Sequence, residues 1–214
     1  MKIGIIGSGV VGQTLGSGFN SLGHSVKIGT RDPQKLQDWV KTNRPNASAG
    51  SFAETASFGD VIVVAVSWSG CENALKLADP KNFAGKVVID ATNPLKFTEQ
   101  GKPPQLALGH TDSAGEQVQR WLPDAHVVKA FNIAGNAHMV HPDFPDGPPD
   151  MFICGNDNKA KQTVTEFLEA FGWPVIDLGD ITKSRYLEPL AMIWVEYLFR
   201  NGFNPNHAFR LLRK

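Results

Sequence analysis

The sequence predicts an α/β protein, with a Rossmann-type, doubly wound and mostly parallel sheet and a small C-terminal α/β extension. Short apolar runs rich in β-branched residues alternate with helix-like segments along most of the 214 residues. Two of these runs, VIVVAV and KVVID, are apolar almost throughout, as expected for strands that helices cover on both faces. The glycine pattern GSGVVG follows the first run and leads directly into an amphipathic segment.

Seven apolar runs are predicted as strands of one central sheet. They are Lys2–Ile6, Ser25–Ile28, Val61–Val66, Lys86–Asp90, His126–Ala130, Met151–Cys154 and Pro174–Leu178.

Helix signals fill most of the intervals between these runs. The predicted helices are Val10–Leu22, Asp32–Thr42, Ser113–Leu122, Asn158–Phe171 and Lys183–Asn201. Pro33 suits a first helical turn, Ser113 and Glu116 form a capping-box pattern, and Gly172 suits a helix end. Pro189 is expected near the start of the last helix or at a kink in it.

Two stretches interrupt the alternation, Leu95–Thr111 and His141–Pro149, and both are rich in Pro and Gly. We predict loops there, either rimming a substrate site or running over the surface. The predicted organisation is a dinucleotide-binding domain over residues 1–132 and a small extension over 133–214, packed together as one compact unit and ending in a long helix.

Composition limits the classes of partner. The chain has 21 basic and 21 acidic residues, which argues against a nucleic acid or an anionic membrane as partner and favours a small molecule. There is no signal-peptide pattern and no apolar stretch of about 18 residues, so we expect a soluble, cytoplasmic protein without a membrane partner. Cys71 and Cys154 are outside any metal-binding pattern, so we expect two free thiols and no metal.

The glycine loop predicts a dinucleotide site because it joins a strand to a helix. Gly7 would permit the tight turn, Gly9 would let the backbone approach a pyrophosphate, and Gly12 would let the helix pack closely on the strand. The amide groups at the helix start would face the phosphates. The predicted pyrophosphate site therefore comprises Gly7, Ser8, Gly9, Val10, Val11 and Gly12.

The end of the second strand favours NADP(H) over NAD(H). An NAD site usually has an acidic residue here, whereas this chain has Thr30 and Arg31. Arg31 could pair with a 2′-phosphate, and Thr30 and Lys35 could add donors. Asp32 weakens this interpretation if its carboxylate faces the phosphate.

Small and polar residues follow three further strands, where a parallel sheet places its ligands. The predicted cofactor contacts are Ala65, Val66, Ser67, Asn93, Ala130, Phe131 and Asn132, with Thr92 beside them, and the predicted substrate pocket is Trp68, Pro94 and Ala134. Trp68 and Phe131 are the candidates for shaping an aromatic pocket. No catalytic acid or base is assigned, and His138 and His141 lack a third ligand for a metal site.

The ordered series GIIGSGVVG, GTRDP, VVKAFN, ICGNDNKAK and LGDITKSRYLE resembles the deazaflavin-dependent NADP oxidoreductases and the cytosolic reductase domain of the six-transmembrane epithelial antigen of prostate metalloreductases. The likeness extends to about Phe199. It implies hydride transfer between NADPH and a flavin or 5-deazaflavin. Thr30 and Arg31 match the 2′-phosphate positions, Asn93, Pro94 and Ala130–Asn132 match the nicotinamide region, and Asp32 departs from the family pattern.

Two alternative functions stay open from the sequence. One is an imino-acid or small-carbonyl reductase that shares the dinucleotide domain, and the other is a non-enzymatic NADPH-binding redox sensor.

The last helix also has two interpretations. Its stripe of Leu187, Leu190, Ile193, Trp194 and Leu198 would face the core or form a homodimer interface, and Arg185 and Glu188 would form an ion pair on it.

Overall fold

The computed structural model describes residues 1–214 and contains ten strands and seven α-helices. The strands are β1 (Lys2–Ile6), β2 (Ser25–Gly29), β3 (Ala47–Gly50), β4 (Val61–Val64), β5 (Val87–Asp90), β6 (Leu95–Lys96), β7 (Gln105–Leu106), β8 (His126–Lys129), β9 (Met151–Gly155) and β10 (Val175–Asp177). The helices are α1 (Val10–Ser21), α2 (Gln37–Thr42), α3 (Phe52–Phe58), α4 (Trp68–Leu77), α5 (Ala114–Trp121), α6 (Asn158–Ala170) and α7 (Ser184–Arg200). None of the seven combines the length and the hydropathy that a membrane span requires.

Eight strands form one sheet in the order β10-β9-β8-β5-β4-β1-β2-β3. All neighbouring pairs are parallel except β8 and β9, which run antiparallel. The chain moves outward from β1 to β3 and then returns to the other side of β1 through β4. This reversal creates a crevice beyond the carboxyl ends of β1 and β4, where such sheets bind ligands. The predicted Rossmann-type fold is confirmed.

Helices cover both faces of the sheet, because its central strands are apolar on both sides. One core cluster contains Leu15 and Phe19 of α1, Trp39 of α2 and Val164 of α6. The opposite cluster holds buried side chains of α3, α4 and α5. All four residues of β4 are buried between these layers, which explains its continuous run of apolar side chains.

The structure departs from the predicted elements at five places, and the first is helix α4, which is absent from the predicted helices. Strand β3 was not predicted, because its sequence ASAG has only small residues and no apolar run. Helix α3 was also missed, although Ser51 and Glu54 form a capping box that the sequence displays. The helix predicted over Asp32–Thr42 is a short 3-10 turn, Pro33–Leu36, followed by α2. Within the predicted Leu95–Thr111 loop, β6 and β7 form a two-stranded antiparallel hairpin.

Contacts between α1 and α6 join the predicted domain 1–132 to the predicted extension 133–214. The Phe19 ring is fully buried, with its centroid 5.1 Å from that of Phe167 in edge-to-face geometry and 5.0 Å from that of Phe171. The antiparallel pairing of β8 with β9 adds a backbone connection across the same boundary. The division at residue 132 stays a prediction, and these contacts favour one cooperative unit.

Replacing Phe19 by alanine is expected to reduce the free energy of unfolding by about 3–5 kcal/mol, since it removes a buried ring and leaves a cavity between α1 and α6. Urea unfolding followed by circular dichroism and by tryptophan fluorescence measures the loss. Both signals should change in one transition. Phe97→Ala is the control, because that ring is 71% exposed. Two separated transitions in the wild-type chain would contradict the single unit.

Candidate functional site

The glycine loop between β1 and α1 has room for a side chain at Gly9 but none at Gly7 or Gly12. A Cβ on Gly7 would lie 2.2 Å from the Ala65 carbonyl oxygen, and Gly7 has φ +128°. A Cβ on Gly12 would lie 2.0 Å from the Gly7 carbonyl oxygen. A Cβ on Gly9, by contrast, would meet no atom within 4 Å. Gly7 and Gly12 are therefore required by the fold itself, whereas nothing in the chain requires a glycine at position 9.

Gly9 is also the N-cap of α1, and no side chain caps this helix end. The first turn contains no acidic residue that could satisfy its amide groups. Free amide groups and the positive end of the helix dipole make such a terminus suited to an anion. The open space beside Gly9 and the uncapped amides together fit a pyrophosphate.

A cleft of about 380 Å³ lies in front of this loop. Eight of the predicted contacts line it: Gly7, Ser8, Gly9, Thr30, Arg31, Ala65, Val66 and Ser67. Four further residues line it that the sequence analysis missed: Phe52, Gly70, Asn73 and Ala74. Phe52 is the first residue of α3, and the other three belong to α4. The missed capping box of α3 was the signal that could have located Phe52. Cofactor binding by the lining residues stays a prediction.

Ser8 and Thr30 link the glycine loop to the end of β2. The Ser8 hydroxyl donates to Thr30 Oγ1 at 3.0 Å, and the Asp32 amide donates to the same oxygen at 3.3 Å. Thr30 is only 8% exposed, which fixes its hydroxyl at the edge of the cleft. The Arg31 side chain, beside it, is exposed and lines the cleft.

The Asp32 carboxylate serves the following 3-10 turn. Its Oδ1 accepts from the Gln34 amide at 3.2 Å, and its Oδ2 lies 4.0 Å from Lys35 Nζ. Asp32 does not line the cleft, so its carboxylate is not among the groups that a ligand in the cleft would meet. Lys35 also lies outside the cleft, on the exposed side of the turn, and the structure does not bring it to the predicted 2′-phosphate position.

Asn93 and Asn132 form a reciprocal amide pair at the ends of β5 and β8. Asn93 Nδ2 donates to the Asn132 carbonyl oxygen at 2.7 Å, and Asn132 Nδ2 donates to Asn93 Oδ1 at 3.0 Å. Asn132 Oδ1 is buried and accepts no hydrogen bond. The structure thus joins two predicted nicotinamide contacts and leaves one acceptor unsatisfied.

The predicted roles of two side chains next to this pair require correction, and that of Trp68 stays a prediction. The Phe131 and Ala130 side chains are fully buried in the core, so neither can face a nicotinamide or shape an acceptor pocket. Phe131 has φ +64°, a left-handed conformation that places its ring in the core before the chain continues to Asn132. The Trp68 ring stacks on Trp121 at 5.4 Å, so one of its two faces is already covered.

The remaining predicted pocket residues lie at the edge of the same region. Pro94 is buried, and its carbonyl oxygen accepts from the Ala107 amide at 2.7 Å, which ties the hairpin strand β7 to the end of β5. Ala134 is half-buried and packs on the core. His138 contacts Asn206 Oδ1 at 2.9 Å, and no cluster of His, Cys, Asp and Glu side chains in the chain could hold a metal ion.

Helix α7 has a different buried face from the predicted one. Leu187 and Trp194 are buried as predicted, but Ile193 is 60% exposed and continues an exposed apolar row with Tyr186 and Tyr197. The predicted pairing of Arg185 with Glu188 is wrong. Arg185 Nε donates to Glu116 of α5 at 2.8 Å, whereas Glu188 points into the protein. The homodimer through this helix stays a prediction.

Neither cysteine is suited to act as a nucleophile. Both thiols are buried and unpaired. Burial raises the pKa of Cys154 to about 11 and also raises the pKa of Cys71. Both therefore remain protonated at neutral pH. The arrangement of the site favours binding and orientation of a ligand that carries its own reactive group.

The chain is similar to known proteins over most of its length. The sequence profile of the family described as NADP oxidoreductase, coenzyme F420-dependent, matches residues 2–94. The F420-dependent NADP reductase of Methanocaldococcus jannaschii is 27% identical over 208 residues, which cover 91% of each chain. The metalloreductase STEAP3 of Rattus norvegicus is 32% identical over 192 residues, which cover 89% of this chain and 36% of that protein. The chain thus spans about a third of the length of STEAP3.

A crystal structure of a candidate F420-dependent NADP reductase from Arthrobacter sp. FB24 has the same overall fold. The two chains superpose with a TM-score of 0.93 and are 38% identical, and the match covers all of both chains. The similarity therefore includes the C-terminal extension as well as the dinucleotide-binding half.

Substitutions at Gly9 and Gly12 are expected to separate ligand binding from folding. Gly9→Ala should fold with only a small loss of stability, since its methyl group meets open space and alanine is a poorer N-cap than glycine, but it should weaken NADPH binding by at least about 10-fold because the methyl occupies the phosphate approach. Gly12→Ala should instead lower the melting temperature, since its Cβ meets backbone. Calorimetric titration and thermal unfolding measure the two effects. Normal NADPH affinity in folded Gly9→Ala would contradict the phosphate site.

Proposed function

The chain belongs to the coenzyme F420-dependent NADP oxidoreductase family, and we propose that it transfers a hydride between NADPH and a flavin or 5-deazaflavin ring. It is an NADP-dependent oxidoreductase of the F420-reductase type. The proposal concerns the acceptor and the residues that bring the two rings together.

The observation that carries the proposal is the free space at Gly9, at an uncapped helix terminus beside a cleft that Arg31 also lines. The α1 terminus suits a pyrophosphate and the Arg31 guanidinium suits a 2′-phosphate. These two anion sites would orient an NADPH molecule with its adenosine end at Arg31. Its nicotinamide end would then extend along Ala65, Val66 and Ser67 toward Asn93.

NADP(H) is favoured over NAD(H) because the Arg31 side chain lines the cleft and the Asp32 side chain does not. Arg31 lines the cleft and makes no ion pair within the chain, so its donors are available to a phosphate. The Asp32 carboxylate is held by Gln34 and Lys35 instead. The acidic residue that follows β2 therefore caps a turn, and it does not occupy the position of a ribose ligand.

The amide pair Asn93 and Asn132 suits the nicotinamide end. The carboxamide group of a nicotinamide has N–H donors and a carbonyl acceptor, and the half-buried Asn93 has a side-chain amide with groups of both kinds. Contact with such a group would fix the face of the ring that is presented to the acceptor.

The acceptor itself supplies the electronic chemistry of hydride transfer, so the protein has to hold two rings at reacting distance and exclude water. The site fits this role because no carboxylate, imidazole, amine or thiol lines the cleft. An imine or carbonyl acceptor needs a proton donor at the reacting centre, whereas a deazaflavin does not. We therefore favour a ring acceptor over the imino-acid and carbonyl alternatives.

Arg31→Ala is expected to weaken NADPH binding by about 10- to 100-fold, because it removes charge-assisted hydrogen bonds to the 2′-phosphate. NADH binding should change by less than about 2-fold, because NADH has no phosphate there. Lys35→Ala is the matched control, since it removes a neighbouring cation that lies outside the cleft. Fluorescence titration of each variant measures both affinities. Equal losses for NADPH and NADH would show that Arg31 acts on the adenine or on the fold.

Stereospecifically deuterated NADPH is expected to deliver deuterium to one face of the 5-deazaflavin ring carbon. The label transfers without exchange because that carbon, unlike a flavin nitrogen, holds hydrogen that water does not replace. Nuclear magnetic resonance of the product gives the position and face of the label. Oxidation of NADPH by imines or carbonyl compounds alone would favour the first alternative, and binding without oxidation by any acceptor would favour the redox sensor.

A further inference from the structure

Asp90, Lys129 and Glu188 form a buried ion cluster at the ends of β5, β8 and the first turns of α7. None of these three residues is more than 2% exposed. Lys129 Nζ lies 2.7 Å from Asp90 Oδ2 and 3.0 Å from Glu188 Oε1. Burial acts to lower the pKa of Lys129, but the two carboxylates outweigh it and raise that pKa above its ordinary value. The ammonium group therefore stays charged.

Stability alone does not account for a cluster of this kind. Removing three charges from water has a large desolvation penalty, and apolar side chains of similar size often stabilise a core as well or better. The three residues do not line the cleft. Their hydrogen bonds, however, lead directly to residues that do lie at the nicotinamide end of the proposed site.

Thr92 is held by this cluster from two sides. Lys129 Nζ donates to the Thr92 carbonyl oxygen at 2.8 Å. Asp90 Oδ1 accepts from the Thr92 amide at 2.9 Å and from its hydroxyl at 2.7 Å. Since all three hydrogen bonds are buried, they fix the backbone immediately before Asn93.

Helix α7 closes the network on the other side. Asn132 Nδ2 donates to the Leu187 carbonyl oxygen at 3.1 Å, next to Glu188, and the same nitrogen donates to Asn93. Glu188 in turn accepts from the amides of Ala114 and Gly115 in the first turn of α5, at 2.9 and 3.0 Å. A closed polar ring therefore runs from α7 through buried and partly buried hydrogen bonds to the amide pair and back, and peptide bonds join Thr92 to Asn93 and Leu187 to Glu188. We call this set the polar ring, and it comprises Asp90, Thr92, Asn93, Lys129, Asn132 and Glu188.

We propose that Glu188 is a positioning residue for hydride transfer, which acts through Lys129 and Thr92 to set the place of Asn93 and so of the nicotinamide ring. This inference rests on the proposed function. It assigns to the C-terminal extension a direct part in orienting the cofactor, because Glu188 is the member of the polar ring that α7 contributes.

A purely structural role for Glu188 would consist of docking α7 on α5. The Arg185–Glu116 pair provides a matched control for that role, because it joins the same two helices and has no hydrogen bond to Thr92 or Asn93. Glu116→Gln should loosen the contact of α5 with α7 and leave the polar ring intact. Glu188→Gln keeps the side-chain size but removes the charge and replaces one acceptor by a donor.

The test compares NADP+ with 2′,5′-ADP, which carries the phosphate groups of the adenosine end but no nicotinamide. For Glu188→Gln we expect the 2′,5′-ADP affinity to stay within about 2-fold of wild type and the advantage of NADP+ over it to fall by about 5- to 10-fold. The kcat should fall by about 10- to 100-fold, because a small displacement of the ring misaligns the reacting atoms. Calorimetric titration of the full chain measures both ligands.

Two further variants complete the test. Thr92→Val, which removes one buried hydrogen bond and no charge, should give a smaller loss of the same kind even if Glu188→Gln does not fold. Combining Glu188→Gln with Asn93→Ala should give a non-additive loss, since both act through one network.

Additive losses, equal weakening of both ligands in folded Glu188→Gln, or the same effect in Glu116→Gln would overturn the positioning role. Failure of the wild-type chain to bind 2′,5′-ADP would overturn the proposed function itself.

Discussion

The cleft depends on one backbone contact, between the Cα of Gly12 in α1 and the carbonyl oxygen of Gly7 at the end of β1. A Cβ at position 12 would lie 2.0 Å from that oxygen, so only a hydrogen atom can be accommodated. The contact brings the N-terminus of α1 against the sheet edge, and Gly7 makes an equally close approach to Ala65 on the next strand. The helix dipole, the strand switch point and the open space at Gly9 are thereby brought to one place.

Polar groups at this edge of the sheet are divided between the cleft and the protein interior. Thr30, Arg31 and Ser67 line the cleft, whereas Asp32 and Asp90 accept hydrogen bonds from neighbouring backbone and side-chain donors. The cleft therefore presents helix amides and a guanidinium, and neither carboxylate lines it. Local turns decide which charged side chains reach the cleft, so the charge of the cleft depends on these turns as well as on residue type.

The sequence predicted the parts of this arrangement that depend on local spacing. The glycine loop, the apolar strands and the Thr30-Arg31 pair follow from patterns a few residues long, and the fold derived from them is confirmed by the strand order. The direction of the Asp32 carboxylate was also readable in principle, because Asp followed by Pro is an N-cap pattern. The all-small strand β3 has no such pattern, since its position depends on pairing with β2.

Residues brought together from distant segments could not be predicted in the same way. Spacing predicts that Glu188 pairs with Arg185, three residues away. In the structure Glu188 contacts Lys129, and Arg185 contacts Glu116. Phe131 follows a strand as a cofactor residue would, yet a left-handed backbone turns its ring into the core. Both outcomes depend on where α7 and the core lie, which spacing along the chain does not specify.

The antiparallel pairing of β8 with β9 has a practical consequence. Because β9 and β10 run against the other main strands, their carboxyl ends open on the opposite edge of the sheet, where Asn156 and Asp157 lie beside His126. Asn156 and Lys159 are exposed on that edge. A fluorophore, an affinity handle or a surface linker attached at either residue would leave the opposite edge unobstructed, so that an immobilised molecule keeps its cleft turned toward the solution.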